Sequence, residues 1–498
     1  MRATLALVAV AACSHSSSER APDANAPDAT IDARIPPDGS DASLPGPGLA
    51  EMKAAACNAD NVAKTDDPDS VTMLAQSSCV FIQRIVDLWA SQGPTGGVPD
   101  LAQIQANLAS LRAQAPAGKQ FVLGVFLPES IPDVDETVTD LAGQPHTFHF
   151  ADFCRTGTEG WRGVGTCNPD LTKPGFADWI AFVEGQLLQL GITQFEFGQI
   201  AYMDPGLAAA PLFQQMRATA TAAGATIFIS GQTNSITDAA YLANFDYIVG
   251  GSYLNRFGYV QPTAAKSGPT AETTGSALLW NDAYRSVAPA VFIETDWWNL
   301  DDDAHRFAEL SGDDRHAVIQ SLYDYYAGLG VGFVVPFHIP IVGGPTIAST
   351  CHGAKPDQYS ASTTYCDDAD AFNAMFDRGP QPTSTQSLAQ GSITLLPGDS
   401  IQNPNGTTAV KLEMMASGAL VATDASGATV WTSPTGTCGA AGCSAHLQPD
   451  GNVVLRDGAG NAYWSTATGG SPGAEITLHS GTPAVEVLAT DATVLWHN

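Results

Sequence analysis

The chain has 498 residues, 44% of them hydrophobic, and sets 51 acidic against 21 basic side chains for a formal net charge of −30. That length has room for one large and one small domain with enough core to fold unaided. The charge excludes a phosphate-backbone partner, so no nucleic acid is expected, and its spread through Asp-rich loops serves solubility.

At the N-terminus, Met1 and Arg2 precede an apolar run from Ala3 to Ala12. The run is too short to span a bilayer as a helix and fits the core of an export signal. Val10-Ala11-Ala12-Cys13 resembles a bacterial lipobox, which implies removal of the leader, residues 1–13 being read as signal, and lipidation of Cys13. An exported lipoprotein follows, at the cell surface or facing the periplasm and held to the membrane by its lipid alone. A cleaved signal peptide and plain secretion are the alternative. Residues 14–50 are rich in Ser, Pro, Ala and Asp, cannot bury enough apolar surface to fold, and are read as a solvated tether.

The remaining eight cysteines are an even number suited to an oxidising compartment, and they fall into sequence neighbours. Cys57 with Cys79, Cys154 with Cys167, Cys351 with Cys366 and Cys438 with Cys443 are the cheapest loops to close. A zinc site is the rival, but neither a CxxC pair nor HExxH occurs, so no metal is expected.

From 51 to 378, apolar runs alternate with helical stretches. Strands are expected at Val80–Ile85, Phe121–Leu127, Gln194–Ile200, Thr226–Ser230, Tyr247–Tyr253, Val291–Thr295 and Gly332–Phe337, with an eighth in the weakly patterned Ala54–Leu74. Helices are expected at Asp100–Gln114, Ala177–Leu190, Leu207–Ala223 and Ala304–Gly328. Strict alternation over this length predicts an α/β fold of the (β/α)8 TIM-barrel type. An open doubly wound sheet is the alternative, but no glycine fingerprint follows an early strand, so no dinucleotide or other cofactor is implied. The long segment 129–170 reads as a lid or wall in which His146 and His149 could line a site.

The barrel's chemistry centres on VFIETDWWNL, Val291–Leu300. Period two puts Phe292, Glu294 and Asp296 on one face, so a carboxylate faces inward where a strand ends, on the side of a barrel that carries chemistry. VFIETDWW is similar to the seventh-strand pattern of retaining (β/α)8 glycoside hydrolases, and counting back makes QFEFGQI the fourth strand. The resemblance implies Glu294 as nucleophile, Trp297 or Trp298 as a sugar platform, and an acid/base where this chain has Ile200, beside Gln199. Glu196, on the face expected for Ile200, and Asp204 in the next loop are the substitutes. Retention would follow if Glu196 and Glu294 act as a pair. Gln232, Asn234, Tyr253 and His338 at other strand ends suit a neutral polyol, through stacking and hydroxyl hydrogen bonds.

After a Pro/Ser/Thr/Gln linker at 379–392, short strands with Gly, Asn and Asp turns announce an all-β module over 393–498. Trp431, Trp464 and Trp496 close equivalent strands 33 and 32 residues apart, marking three repeats. The middle repeat, LQPDGNVVLRD, resembles the QxDxNxVxY pattern of bulb-type mannose-binding lectins, which implies a β-prism and a sugar site. Carried over residue by residue, that site is Gln448, Asp450, Asn452 and Val454, with Arg456 in place of the tyrosine, all expected on alternate positions of one strand. The first repeat has Met415, Ser417, Ala419, Val421 and Thr423 instead, so one working site is expected. The whole reads as a monomeric surface protein that binds and hydrolyses a polysaccharide or glycoconjugate. The alternative is a non-catalytic binding or adhesion protein with a degenerate barrel.

Overall fold

A computed structural model of the chain describes residues 46–498 apart from 66, 89–98, 161–163, 234–235, 255–259, 262–289, 296–306, 309, 341–350, 352–357, 383–386, 389–392, 403–410, 425, 440–441, 449, 473, 480–481 and 490. The expected signal, Cys13, Asn234, Trp297 and Trp298 therefore lie outside the described residues.

Eight parallel strands form a closed barrel: β1 (Ala56–Ala59), β2 (Phe81–Asp87), β3 (Val122–Leu127), β4 (Ile192–Gln199), β5 (Phe228–Gln232), β6 (Tyr247–Leu254), β7 (Val291–Thr295) and β8 (Gly332–Pro340). They pair in that order, and β8 returns to β1 with Val334 opposite Ala56. The strand that was hard to read is β1, because Ala-Cys-Asn-Ala holds no β-branched or aromatic residue. Glu196 thus stands on the fourth strand and Glu294 on the seventh.

Helices cover the outside. Leu101–Gln114 buries Leu101, Ile104, Leu108 and Leu111, one stripe at helical spacing, and its first turn is capped by Asp100 accepting from the Gln103 N–H at 3.1 Å. Pro174–Gln189, Ala210–Ala222 and Gly312–Gly328 pack likewise; the last is capped by Ser311, and 304–306 and 309 of the expected helix lie outside the described residues. The strand expected at Thr226–Ser230 is shifted to Phe228–Gln232. The fourth strand ends at Gln199, and Ile200 opens a helical turn, Ile200–Met203, with its side chain wholly buried in the core under the helices. Ile200 is therefore not an inward strand-end position, which corrects its expected alignment with Glu196.

Inside the barrel the character changes along the strands. Ala56, Phe81, Val122, Tyr247, Phe292 and Val334 fill the lower part, where the Phe81, Tyr247 and Phe292 rings meet at centroid distances of 6.1, 5.8 and 4.5 Å. Above them Asn58, Gln83, Gln194, Glu196, Ser230 and Glu294 are all buried. The polar layer faces the C-terminal strand ends, where barrel enzymes place their chemistry.

The C-terminal residues form three four-stranded antiparallel sheets. One joins Ile393–Leu395 to Ser444–Leu447, Val453–Arg456 and Ala462–Ser465; the others are built alike around Leu420–Thr423 and Val485–Leu488. Each last strand contributes one tryptophan, and Trp431, Trp464 and Trp496 close a triangle with ring centroids 5.9, 5.5 and 5.8 Å apart. All four expected cysteine pairs are disulfides. Among the described residues, no helix is long and apolar enough to cross a membrane.

Candidate functional site

The second strand builds the site. In FIQRIVD, strict alternation would send Arg84 out towards the helices. Instead the register with β3 slips between Ile82 and Val86, and Arg84 adopts φ +53°. This bulge turns both Gln83 and Arg84 into the barrel, a re-aiming that bulges near active sites commonly perform. A left-handed non-glycine residue costs about 1–2 kcal/mol. Gly124 on β3 makes room, since a Cβ there would lie 3.2 Å from the Arg84 nitrogen and clash with Gln194 Oε1.

Arg84 then joins two strands on the far side. Its Nη2 donates to Glu196 Oε1 and to Glu294 Oε1, each at 2.8 Å, and its Nε to Glu196 Oε1 at 3.2 Å. Two oxygens sharing one donor stand no farther apart than twice that 2.8 Å. Gln83 Nε2 holds Glu196 Oε2 at 2.5 Å, Gln232 Nε2 holds Glu294 Oε1 at 2.9 Å, and the guanidinium lies 4.3 Å from the Phe126 ring centroid. Burial works against the Arg84 charge, but Glu196, Glu294 and Asp60 more than offset it and raise its pKa further.

The structure brings Glu196, Glu294 and Gln232 together, and it separates their roles. Glu294 is 3% exposed at the end of β7, whereas Glu196 is fully buried with both oxygens accepting from Arg84 and Gln83. Glu196 is thus engaged by Arg84 and Gln83 and is less open to the mouth than Glu294. Asp204 has partners of its own. Its carboxylate accepts from the Ala208 and Ala209 N–H groups at 2.9 and 2.7 Å and from the Tyr241 hydroxyl at 2.8 Å, which pins the entry to the helix Ala210–Ala222. Gln199 ends β4 half-buried beside Gln232, and Tyr253 lies on β6 opposite Gln261. His338 is buried at the end of β8, with its ring against Ser70 Oγ at 3.0 Å and Gln358 Nε2 at 2.8 Å. His146 and His149 belong to the hairpin Asp135–Thr139/Pro145–His149, each 2.9 Å from its own hairpin aspartate, Asp140 and Asp135.

Sequence reading missed Arg84, Gln83, Asp60, Asp87 and Glu129. The one available signal was Gln83-Arg84 inside an otherwise apolar strand, since a charge buried in a barrel needs partners. Asp60 follows β1 and Asp87 ends β2, and their side chains are hydrogen-bonded to each other. Burial, then the charge of Asp87, pushes the Asp60 carboxyl well above the usual range, with Arg84 opposing. Glu129, after β3, is buried, and its Oε2 occupies the space that a side chain at Gly198 would take. Among the described residues, no group of three or more His, Cys, Asp or Glu is arranged to hold a metal.

In the C-terminal module, Gln448, Asp450 and Asn452 do not share a strand. They form the turn between Ser444–Leu447 and Val453–Arg456, closed by Gln448 N–H to Asn452 O and Gly451 N–H to Gln448 O, both at 2.9 Å. Asp450 is exposed and accepts from the Asn452 N–H at 3.1 Å, while Asn452 Oδ1 takes the Thr466 hydroxyl at 3.2 Å and the Thr468 N–H at 3.3 Å. Val454 is 5% exposed. Arg456 donates to Gly460 O at 2.9 Å in the following turn.

No protein-family model and no curated protein matches the chain. Among solved structures it is similar to a monomeric mannose-binding lectin from Gastrodia elata, with 26% identity over 22% of this chain and 94% of that one at a TM-score of 0.18. It is also similar to the Polygonatum cyrtonema lectin complexed with monomannoside, with 30% identity over 22% and 84% at 0.16, and to a lectin from Allium sativum, with 27% over 22% and 89% at 0.16. At these scores the likeness carries no argument by itself.

Proposed function

We propose that the protein is an exported, lipid-anchored glycoside hydrolase whose C-terminal module is a bulb-type lectin β-prism that holds it on a polysaccharide. The observation that carries the catalytic part is the Arg84 bridge, which fixes Glu294 at the barrel mouth. Arg84 and Gln232 both donate to Oε1 of Glu294. Buried donors aimed at a carboxylate keep it oriented without reorganisation during the reaction. Glu294 as nucleophile implies retention of anomeric configuration, with an oxocarbenium-like transition state stabilised by the neighbouring negative charge. The lectin part is supported by the Gln448–Asn452 turn and the threefold tryptophan core, and tethering would raise the local concentration of chain ends and linkages at the barrel.

The test is hydrolysis of a glycan panel by the wild type and by Glu294→Gln. The expected loss is at least about four orders of magnitude in kcat. Equal rates for the two proteins would remove Glu294 from the mechanism. A second reading, a non-catalytic sugar-binding protein, is favoured by the enclosure of Glu196 and the displacement of Ile200. Glycan binding without turnover on any substrate would select it.

A further inference from the structure

We infer that Asp60, paired with Asp87, is the proton donor that works opposite Glu294 in the barrel mouth. This rests on the hydrolase reading and supplies what that reading lacks, since Glu196 and Asp204 are both committed to other partners.

Geometry carries the inference. Asp60 leaves β1 at the C-terminal mouth, its N–H donating to His338 O at 2.9 Å, and is 4% exposed. One oxygen is shared with Asp87, while Oδ1 meets no partner among the described residues. Two residues earlier on β1 the Asn58 amide is fully buried in the polar interior and, among the described residues, neither its oxygen nor its nitrogen is engaged, nor is Gln83 Oε1 beside it. Buried polar atoms left open in this way are rare in folded proteins and mark a place built for a hydrogen-bonding guest. The charged and titratable groups around Asp60 are Asp87 and Arg84 from β2, Lys64 from the turn after β1, Glu294 from β7, and His338 at the end of β8, whose ring is turned to Ser70 and Gln358. Burial and two nearby carboxylates favour the protonated acid over the opposing Arg84 and Lys64 cations, and a neutral acid beside an ionised one is the division of labour that glycoside cleavage needs.

The step balances as follows. Glu294 forms a bond to the anomeric carbon as the bond to the leaving oxygen breaks, and that oxygen takes the Asp60 proton. Water then enters, gives a proton to the Asp60 carboxylate and its hydroxyl to the anomeric carbon, and Glu294 is released.

The experiment compares wild type, Asp60→Asn, Asp87→Asn and Glu129→Gln on paired substrates, unactivated oligosaccharides and the matching 2,4-dinitrophenyl glycosides, across pH. For Asp60→Asn we expect a loss of about 10²–10⁴-fold in kcat/KM on the oligosaccharides, a small change on the activated glycosides, which need no protonated leaving group, and disappearance of the basic limb of the pH profile. Asp87→Asn removes a like charge and should move that limb to lower pH, a readout that a purely structural role would not shift. An active wild type with an unchanged Asp60→Asn profile, an unmoved limb in Asp87→Asn, or this leaving-group pattern in Glu129→Gln instead overturns the assignment of Asp60. A wild type inert on every pair overturns the hydrolase reading itself.

Discussion

The barrel and the C-terminal module assemble their polar groups in opposite ways. The barrel gathers Asp60, Arg84, Glu196, Gln232 and Glu294 from five strands or strand ends into one buried network. The C-terminal module takes Gln448, Asp450 and Asn452 from one tight turn and leaves Asp450 exposed, while its buried core is aliphatic, with three half-buried tryptophans packed against it. A site of distant residues can be enclosed and electrostatically tuned, because each group is held by a different rigid strand. A hairpin-turn site is autonomous but shallow, so it can recognise a sugar and has little means to transform one.

Arg84→Met tests that contrast hardest. Removing the shared donor leaves two buried carboxylates facing each other, and the barrel should lose about 3–5 kcal/mol in denaturant melts while the C-terminal module's transition stays put. Adding Glu196→Gln should recover part of the loss, and strict additivity of the two changes would mean the bridge is not the coupling. The mirror experiment is Trp464→Ala. It opens the tryptophan triangle and should lower the stability of the C-terminal module by about 3 kcal/mol with barrel turnover intact.

A smaller effect concerns a second buried acid in the barrel. Glu184, on the helix Pro174–Gln189, is 1% exposed, neither oxygen meets a donor among the described residues, and burial pushes its pKa up to about 8. Between its unfolded pKa near 4.3 and that value, the folded state holds a proton that the unfolded state lacks. Stability should therefore fall as pH rises through that window and level off above it. In Glu184→Gln the slope should flatten and Tm at pH 8 should rise by roughly 2–5 °C; an unchanged slope would place the titration elsewhere. Smallest is Gln448→Ala, which loses only side-chain contacts to a ligand. Binding on a glycan array should weaken about tenfold, or about 1.4 kcal/mol, with Tm unchanged. Undiminished binding would move the sugar site off this turn.

What the amino-acid sequence determined by itself is what depends on local pattern. Alternating strands and helices named the barrel, cysteine neighbours named all four disulfides, and tryptophan spacing named three repeats, because periodicity, short loop closure and repetition are properties of nearby residues. Glu294 was legible for the same reason, an acid at the end of an apolar strand. The tertiary structure alone decided which groups Glu294 meets. A bulge at Arg84 reversed the face that alternation assigns, Gly124 gave it space, and closure of β8 onto the nearly featureless β1 brought Asp60 to the mouth. The same non-local packing spent Glu196 on a salt bridge and Asp204 on a helix entry. Hydrogen bonds between residues more than a hundred positions apart leave no periodic trace in the chain, and they are what gave these carboxylates their different surroundings.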